Sequence, residues 1–128
     1  MNSFLEMVIK IKNACLAKKD NVKISASRFN TKIADVLAKE GYIESVAKKG
    51  RGIKKYLEVK LKYENGASRI HNLSLVSKPG RRIYAGVEGI KKVKNGYGIS
   101  LVSTSLGILT DKEARGKKMG GEILLEVY

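Results

Sequence analysis

Apolar residues in the first third of the chain recur at the three- and four-residue spacing of amphipathic helices. Ser3 and Glu6 have the spacing of a capping box, which predicts that a first helix begins here. The side chains predicted to pack from this helix into a core are Leu5, Val8, Ile9, Cys15 and Leu16. Ser27 is the predicted N-cap of a second helix, and Gly41 is its predicted end. The predicted apolar face of the second helix is Phe29, Ile33, Val36 and Leu37.

Alternating apolar and polar residues predict three strands in the same part of the chain. Residues 22–26 form the first strand, and residues 42–47 and 53–63 follow as a hairpin. The residues predicted to share the buried face of the last strand are Leu57, Val59, Leu61 and Tyr63. The predicted order of elements is therefore α-β-α-β-β.

Asn65 and Gly66 mark a predicted boundary, after which strands dominate. The strands predicted beyond it are residues 70–77, 81–84, 99–103 and 122–128. Residues 86–98 are rich in glycine and are predicted as a loop with at most one helical turn. Thr110 and Glu113 have the spacing of a capping box for a short helix.

These elements predict an α+β fold made of two small modules. Residues 1–66 are the N-terminal α/β module, and residues 67–128 are a mainly β module with one short helix. A chain of 128 residues with 43% hydrophobic residues can bury one modest core or two small ones.

Charge indicates what such a fold binds. The chain carries 26 Lys and Arg against 12 Asp and Glu, a formal net charge of +14. A positive field of this size favours binding to nucleic acid through its phosphates.

Several other functions lack the residues that they need. One cysteine, Cys15, excludes an internal disulfide, and with a lone His71 it provides no zinc site. No apolar run approaches the ~20 residues that span a bilayer, and the N-terminus does not resemble a signal peptide. We expect a cytoplasmic protein without cofactor, metal or membrane partner.

Three small hydroxyl residues end the predicted strand 99–103 and are the first candidate contacts. Short hydroxyl side chains can exchange hydrogen bonds with the 2′-hydroxyls in the wide minor groove of RNA. We interpret Thr104 and Ser105 as groove contacts and Ser103 as structural, while Gly107 lets the backbone approach closely. The alternative is that the hydroxyls bond to their own turn.

Clusters of cations are the other candidates. A turn with a rigid proline holds Lys78, Pro79, Arg81 and Arg82. The first helix presents Lys10, Lys12 and Asn13, and the first hairpin ends in Lys48, Lys49, Arg51, Lys54 and Lys55. A solvated surface is the alternative for the hairpin cations. Tyr84 and Tyr97 are candidates to stack on an unpaired base, with a core or rim position as the alternative.

Ordered motifs along nearly the whole chain resemble the bacterial-type ribosomal protein S8 family of the small (30S) subunit. They are K-I-K-N-A at residues 10–14, E-G-Y-I at 40–43, K-P-G-R-R at 78–82, S-T-S-x-G at 103–107, L-T-D-x-x-A-R at 109–115 and G-G-E-I-L at 120–124. The resemblance implies two modules that clasp a helix of 16S rRNA in its central domain, with the S-T-S loop in the minor groove. It also implies neighbouring small-subunit proteins as partners, S5 first and S2 second, and a cytoplasmic ribosome, with an organellar ribosome as the alternative.

The function that follows is a structural constituent of the small subunit that supports its assembly and translation, with no catalysis. Binding to its own operon messenger RNA as a translational regulator is the alternative. A hydrolase with Ser103 or Ser105 as nucleophile and His71 as base is a further alternative, although the chain has no G-x-S-x-G motif.

Overall fold

The structure is a computed structural model that describes residues 3–78 and 80–128. Contacts between residues divide the chain into two units, the first ending at Ile70 and the second being His71–Tyr128. The boundary predicted at Asn65 and Gly66 lies slightly earlier, in a tight turn where both residues have positive φ.

The first unit has the predicted order of helices and strands. Its elements are α1 (Ser3–Leu16), β1 (Asn21–Ser25), α2 (Arg28–Lys39), β2 (Ile43–Lys49), β3 (Tyr56–Leu61), β4 (Tyr63–Glu64) and β5 (Ala67–Ser68). An antiparallel sheet has the order β1-β3-β2, and β4 pairs with β5 as a separate small hairpin. The predicted α-β-α-β-β arrangement is therefore confirmed.

Helix α1 buries a face that shares only Val8 with the predicted one. Its buried residues are Phe4, Met7, Val8, Ile11 and Ala14, whereas Ile9 is 44% exposed and Leu16 is 81% exposed. The buried set also has helical spacing, and it avoids burying Lys12. Ser3 is itself helical, so it is not at the N-cap position predicted for it; that position lies outside the described residues.

Helix α2 begins and ends as predicted. Ser27 Oγ accepts a hydrogen bond from the Asn30 backbone N–H (3.1 Å), and Gly41 follows the helix with φ +83°. Asn30 is fully buried, and its Nδ2 donates to Ser3 O (3.3 Å) and Ser25 O (3.2 Å). This one side chain therefore ties α2 to both α1 and β1.

The first hairpin differs from the prediction at its tip. Strand β3 begins at Tyr56 and not at residue 53, because Gly52–Lys54 form a 3₁₀ turn. Gly50 has φ +83°, and a Cβ there would lie 2.2 Å from Lys54 O, so only glycine fits this turn. The inward positions of Leu57, Val59 and Leu61 are confirmed, whereas Tyr63 is half-buried and belongs to β4, beyond the end of β3.

Tyr63, the first residue of β4, contacts the segment that follows α1. Its hydroxyl donates to Lys19 O (2.5 Å). Burial is the main cause that raises the pKa of Tyr63, and the nearby Cys15 and Asp20 add to it. The phenol therefore keeps the proton that it donates.

The second unit is mainly β, as predicted. Its elements are β6 (Leu73–Leu75), β7 (Tyr84–Ala85), β8 (Ile99–Thr104), β9 (Gly107–Thr110), α3 (Asp111–Gly116) and β10 (Gly121–Val127). The sheet has the order β6-β10-β8-β9, and β7 also pairs with β10. The loop predicted at residues 86–98 contains two 3₁₀ turns, Val87–Gly89 and Lys94–Gly96, where at most one was expected.

The capping box of α3 is confirmed. Thr110 Oγ1 accepts from the Glu113 backbone N–H (3.2 Å), and Glu113 Oε1 accepts from the Thr110 backbone N–H (3.1 Å). Asp111 is buried, accepts from the Ser100 backbone N–H (3.2 Å) and pairs with Arg115 (2.8 Å). These contacts fix α3 to β8, the strand that leads into the turn with Thr104 and Ser105.

Candidate nucleic-acid interface

The hydroxyl loop is the turn between β8 and β9. Thr104 lies opposite Gly107, and Ser105 and Leu106 form the exposed tip. Thr104 Oγ1 donates to Gly107 O (2.8 Å) and accepts from the Leu106 backbone N–H (3.1 Å). Thr104 therefore fits the alternative interpretation, in which the hydroxyl forms hydrogen bonds within its own turn. The Ser105 hydroxyl is exposed and makes no hydrogen bond to the described residues.

Close backbone packing holds Ser103 in place below this turn. A Cβ on Gly121 would lie 2.1 Å from Ser103 O, and a Cβ on Gly120 would lie 2.5 Å from Ala85 O. The two glycines let β10 approach β8 and β7 where any side chain would collide. The sequence shows this glycine pair but not the strands that it brings together.

Glu122 and Tyr84 share a face of the sheet with Ser103. Ser103 lies opposite Glu122 in the neighbouring strand, and Glu122 lies opposite Tyr84. Arg82 Nη1 forms an ion pair with Glu122 Oε2 (3.2 Å), and Tyr84 is 70% exposed. Sequence reasoning included Arg82 and Tyr84 but missed Glu122, because only the strand register places this carboxylate beside them.

The turn after β6 is closed by its own backbone. The Lys78 N–H donates to Arg81 O (3.0 Å), and the Arg81 N–H donates to Lys78 O (2.9 Å). Ser77 Oγ donates to Ile123 O (2.7 Å) and accepts from the Ile83 N–H (2.9 Å), which attaches the turn to β10. Lys78 and Arg81 are exposed, and Pro79 lies outside the described residues.

The predicted cations of α1 lie beside a groove. Lys10 and Asn13 line it together with Lys19, Asn21 and Lys23 from the loop and strand that follow. Lys12 is exposed but does not line the groove. Sequence reasoning did not place Lys23 among the contacts, because nothing local to β1 shows that α1 packs beside it.

The hairpin tip carries its predicted cations in the open. Lys48, Lys49, Arg51, Lys54 and Lys55 are all exposed. Lys49 Nζ lies 3.4 Å from Glu58 Oε1, so part of this charge is neutralised within the protein. The apex residue, Ile53, is fully exposed.

A second basic groove lies in the C-terminal unit. Lys91, Lys92 and Lys94, from the segment between β7 and β8, line it together with the apolar residues Ile90 and Ile123. Lys94 Nζ lies 4.7 Å from the centre of the Tyr128 ring, a cation–π contact.

The part of the chain that the structure describes does not bring Ser103 and His71 together as a serine hydrolase requires. Ser103 lies opposite Glu122 near the start of β10, whereas the His71 backbone N–H donates to Tyr128 O (2.7 Å) beyond its end. The seven residues of β10 span roughly 20 Å, so His71 cannot act as base for Ser103. Within residues 3–78 and 80–128 no group of three acidic, His or Cys side chains could hold a metal ion. None of the helices described here is long and apolar enough to span a membrane.

Comparison with known proteins decides the family. A sequence model of the family described as Ribosomal protein S8 matches residues 2–128. The chain belongs to the ribosomal protein S8 family. It is 45% identical over 123 residues to the small ribosomal subunit protein uS8 of Zymomonas mobilis, which covers 96% of this chain and 94% of that protein. It is 44% identical to the uS8 protein of Mycoplasma mobile over 96% of this chain and 92% of that protein.

A third relative has the same identity as the first. The uS8 protein of Acetivibrio thermocellus is 45% identical over 124 residues, 96% of this chain and 94% of that protein. Members of the ribosomal protein S8 family are structural, non-enzymatic proteins, and this chain is therefore not an enzyme.

Proposed function

We propose that this S8 chain binds 16S rRNA directly in its central domain and fixes the local RNA fold while the small subunit assembles. The observation that carries the proposal is the family match over residues 2–128, with relatives named small ribosomal subunit protein uS8. A net charge of +14 supports an RNA ligand. The proposed compartment is the cytoplasm, and the proposed protein partners are the neighbouring small-subunit proteins S5 and S2.

The specific contact in this proposal is the hydroxyl loop. Ser105 offers an unengaged hydroxyl at an exposed tip, and Gly107 with φ +111° leaves the backbone bare beside it. An A-form minor groove presents 2′-hydroxyls and base edges that such a small side chain can reach. Thr104 shapes the turn, and through its remaining lone pair it can accept one further hydrogen bond.

The remaining predicted residues position the RNA. Arg82 and Tyr84 lie beside Glu122, on the side of β10 opposite Ser103, where a guanidinium and an aromatic ring can contact a phosphate and an unpaired base. Lys78 and Arg81 sit on a closed turn, so little entropy is lost when they bind phosphate. The cations of α1 and of the hairpin tip are proposed contacts with further stretches of RNA backbone.

The test uses Ser105→Ala, because this change leaves every hydrogen bond of the turn intact. We expect affinity for the cognate rRNA fragment to fall by about 1–3 kcal/mol, since the RNA groups facing Ser105 lose their partner. Affinity for an unrelated RNA duplex, and the salt dependence of binding, should not change, since no cation is removed.

Footprinting of the purified protein on naked small-subunit rRNA provides the second measurement. Protection confined to one helix of the central domain is expected. Equal protection of many helices, or an equal loss with Ser105→Ala on cognate and unrelated RNA, would contradict specific recognition by the loop.

A further inference from the structure

The sheet of the first unit has one buried face and one face whose β1 and β2 residues are exposed. Ile24, Leu57 and Val59 form the buried face, and the alternate residues point the other way. The strand register arranges these alternate residues in three rows, namely Ser25–Tyr56–Lys49, Lys23–Glu58–Ala47 and Asn21–Lys60–Ser45. In β1 and β2 every residue of these rows is exposed. We refer to these nine residues as the outer face.

Tyr56 is the aromatic side chain of the outer face. It lies on the central strand between Ser25 and Lys49 and is half-buried. Its hydroxyl makes no hydrogen bond to the described residues. Its neighbours on this face include two small side chains, Ser25 opposite it and Ala47 in the adjacent row.

Cations surround this ring. Lys23 Nζ lies 5.0 Å from the centre of the Tyr56 ring, and Lys49 and Lys60 lie on the same face. Glu58 is the single carboxylate among the nine residues, and Lys49 neutralises it at 3.4 Å. Lys23 also lines the groove beside α1 with Lys10 and Lys19, so the positive surface continues around the edge of the sheet.

We propose that the outer face binds a single-stranded or looped segment of RNA. One base stacks on Tyr56, and Lys23 and Lys60 contact the flanking phosphates. The proposal rests on the proposed function in taking RNA as the ligand, and it adds a second binding mode to the minor-groove contact. Stacking on an aromatic ring with phosphate contacts alongside accepts any base sequence. A protein partner fits less well, because interface cores are apolar and this face offers one ring and one alanine among charged and polar residues.

The first experiment compares two probes on the full chain: a fluorescent octamer of oligouridine and a fully paired RNA duplex. Tyr56→Leu should weaken oligouridine binding about 5- to 100-fold, because a base loses its stacking partner. Tyr56→Phe should bind as the unmodified protein does, and duplex binding should not change in either variant.

Phe29→Leu is the matched control, because Phe29 is an aromatic residue of α2 in the same unit, 37% exposed and not part of the outer face. It should leave oligouridine binding unchanged. A third variant, Tyr84→Leu, tests the other proposed stacking position. A loss of oligouridine binding with Tyr84→Leu but not with Tyr56→Leu would place the single-strand site in the second unit and overturn the proposal. An equal loss of both probes with Tyr56→Leu would do the same, since it would indicate general damage or general charge binding.

A spectroscopic measurement covers the case in which Tyr56→Leu does not fold. The chain has no tryptophan, so Tyr56→Trp introduces a single emitter whose fluorescence a stacked base should quench. Leu16→Trp, at a position 81% exposed on α1, is the control and should not be quenched. No quenching of Tyr56→Trp by oligouridine would overturn the proposal. Failure of the unmodified protein to bind the rRNA fragment would instead contradict the proposed function.

Discussion

Thr104 and Ser105 are adjacent hydroxyl residues that the structure uses differently. Thr104 makes two hydrogen bonds within its turn, and Ser105 makes none to the described residues. We therefore expect Thr104→Val to lower the free energy of unfolding by about 1–2 kcal/mol. Ser105→Ala should leave it within about 0.5 kcal/mol. Urea unfolding of both variants measures the difference, and equal stability would mean that the turn does not need the Thr104 hydroxyl.

Gly121 provides a residue-scale test of the packing below the loop. Gly121→Ala places a Cβ 2.1 Å from Ser103 O, so the strands must separate. We expect a loss of about 2 kcal/mol or more in the free energy of unfolding. Gly116→Ala is the control, because nothing lies within 4 Å of its added Cβ and alanine is the better helix former. Similar values for the two variants would refute the close approach of β10 to β8.

At the scale of an element, the cap of α2 is a direct test of local signals. Ser27→Ala removes the oxygen that accepts from the Asn30 N–H and should cost about 1 kcal/mol of stability. Ser27→Asp keeps an acceptor at the N-cap and should restore most of it. Thermal or urea unfolding distinguishes the variants. Equal stability of all three proteins would show that the cap is dispensable.

Elements with such local signals were the ones predicted correctly from sequence. The Ser27 cap, the Thr110–Glu113 capping box and the alternation in β3 each depend on residues close together in the chain. Helix α1 has two adjacent apolar stripes, and local spacing does not choose between them. Packing chooses: Phe4 meets the Phe29 ring edge-on at 5.1 Å, a contact between residues far apart in sequence.

The candidate site shows the same limit. Hydroxyls and cations are visible in the sequence as residue types, so Ser105, Lys78 and Arg81 could be proposed from it. The internal hydrogen bonds of Thr104 depend on the turn geometry. The approach of Glu122 to Ser103 depends on a strand register that shifts between Ile123 and Leu125. Neither follows from composition or spacing.

At the scale of the whole molecule, charge is shared by both parts of the chain. Residues 1–64 hold 15 basic and 7 acidic side chains, a net +8, and residues 65–128 hold 11 and 5, a net +6. Each unit therefore carries enough cations to contact several phosphates by itself. The cations of both units should contribute to the salt dependence of RNA affinity. Discrimination between RNAs should instead depend on the hydroxyl loop.

Because phosphate contacts release counterions, the salt dependence of RNA affinity measures how many cations contact phosphate. If about 4 to 8 phosphates are neutralised, the logarithm of the association constant should fall with the logarithm of salt concentration with a slope of about −4 to −7. Lys78→Ala or Arg81→Ala should flatten that slope by about one unit and weaken binding to all helical RNAs alike. Lys39→Ala removes an exposed cation at the end of α2 that is not among the proposed contacts, and it should leave the slope unchanged. Titrations from low to physiological salt, with cognate and with unrelated RNA, give the slopes for the unmodified protein and the three variants. If Lys39→Ala flattens the slope as much as Arg81→Ala does, the RNA is held by overall charge, and the closed turn at Lys78 and Arg81 has no special part in binding.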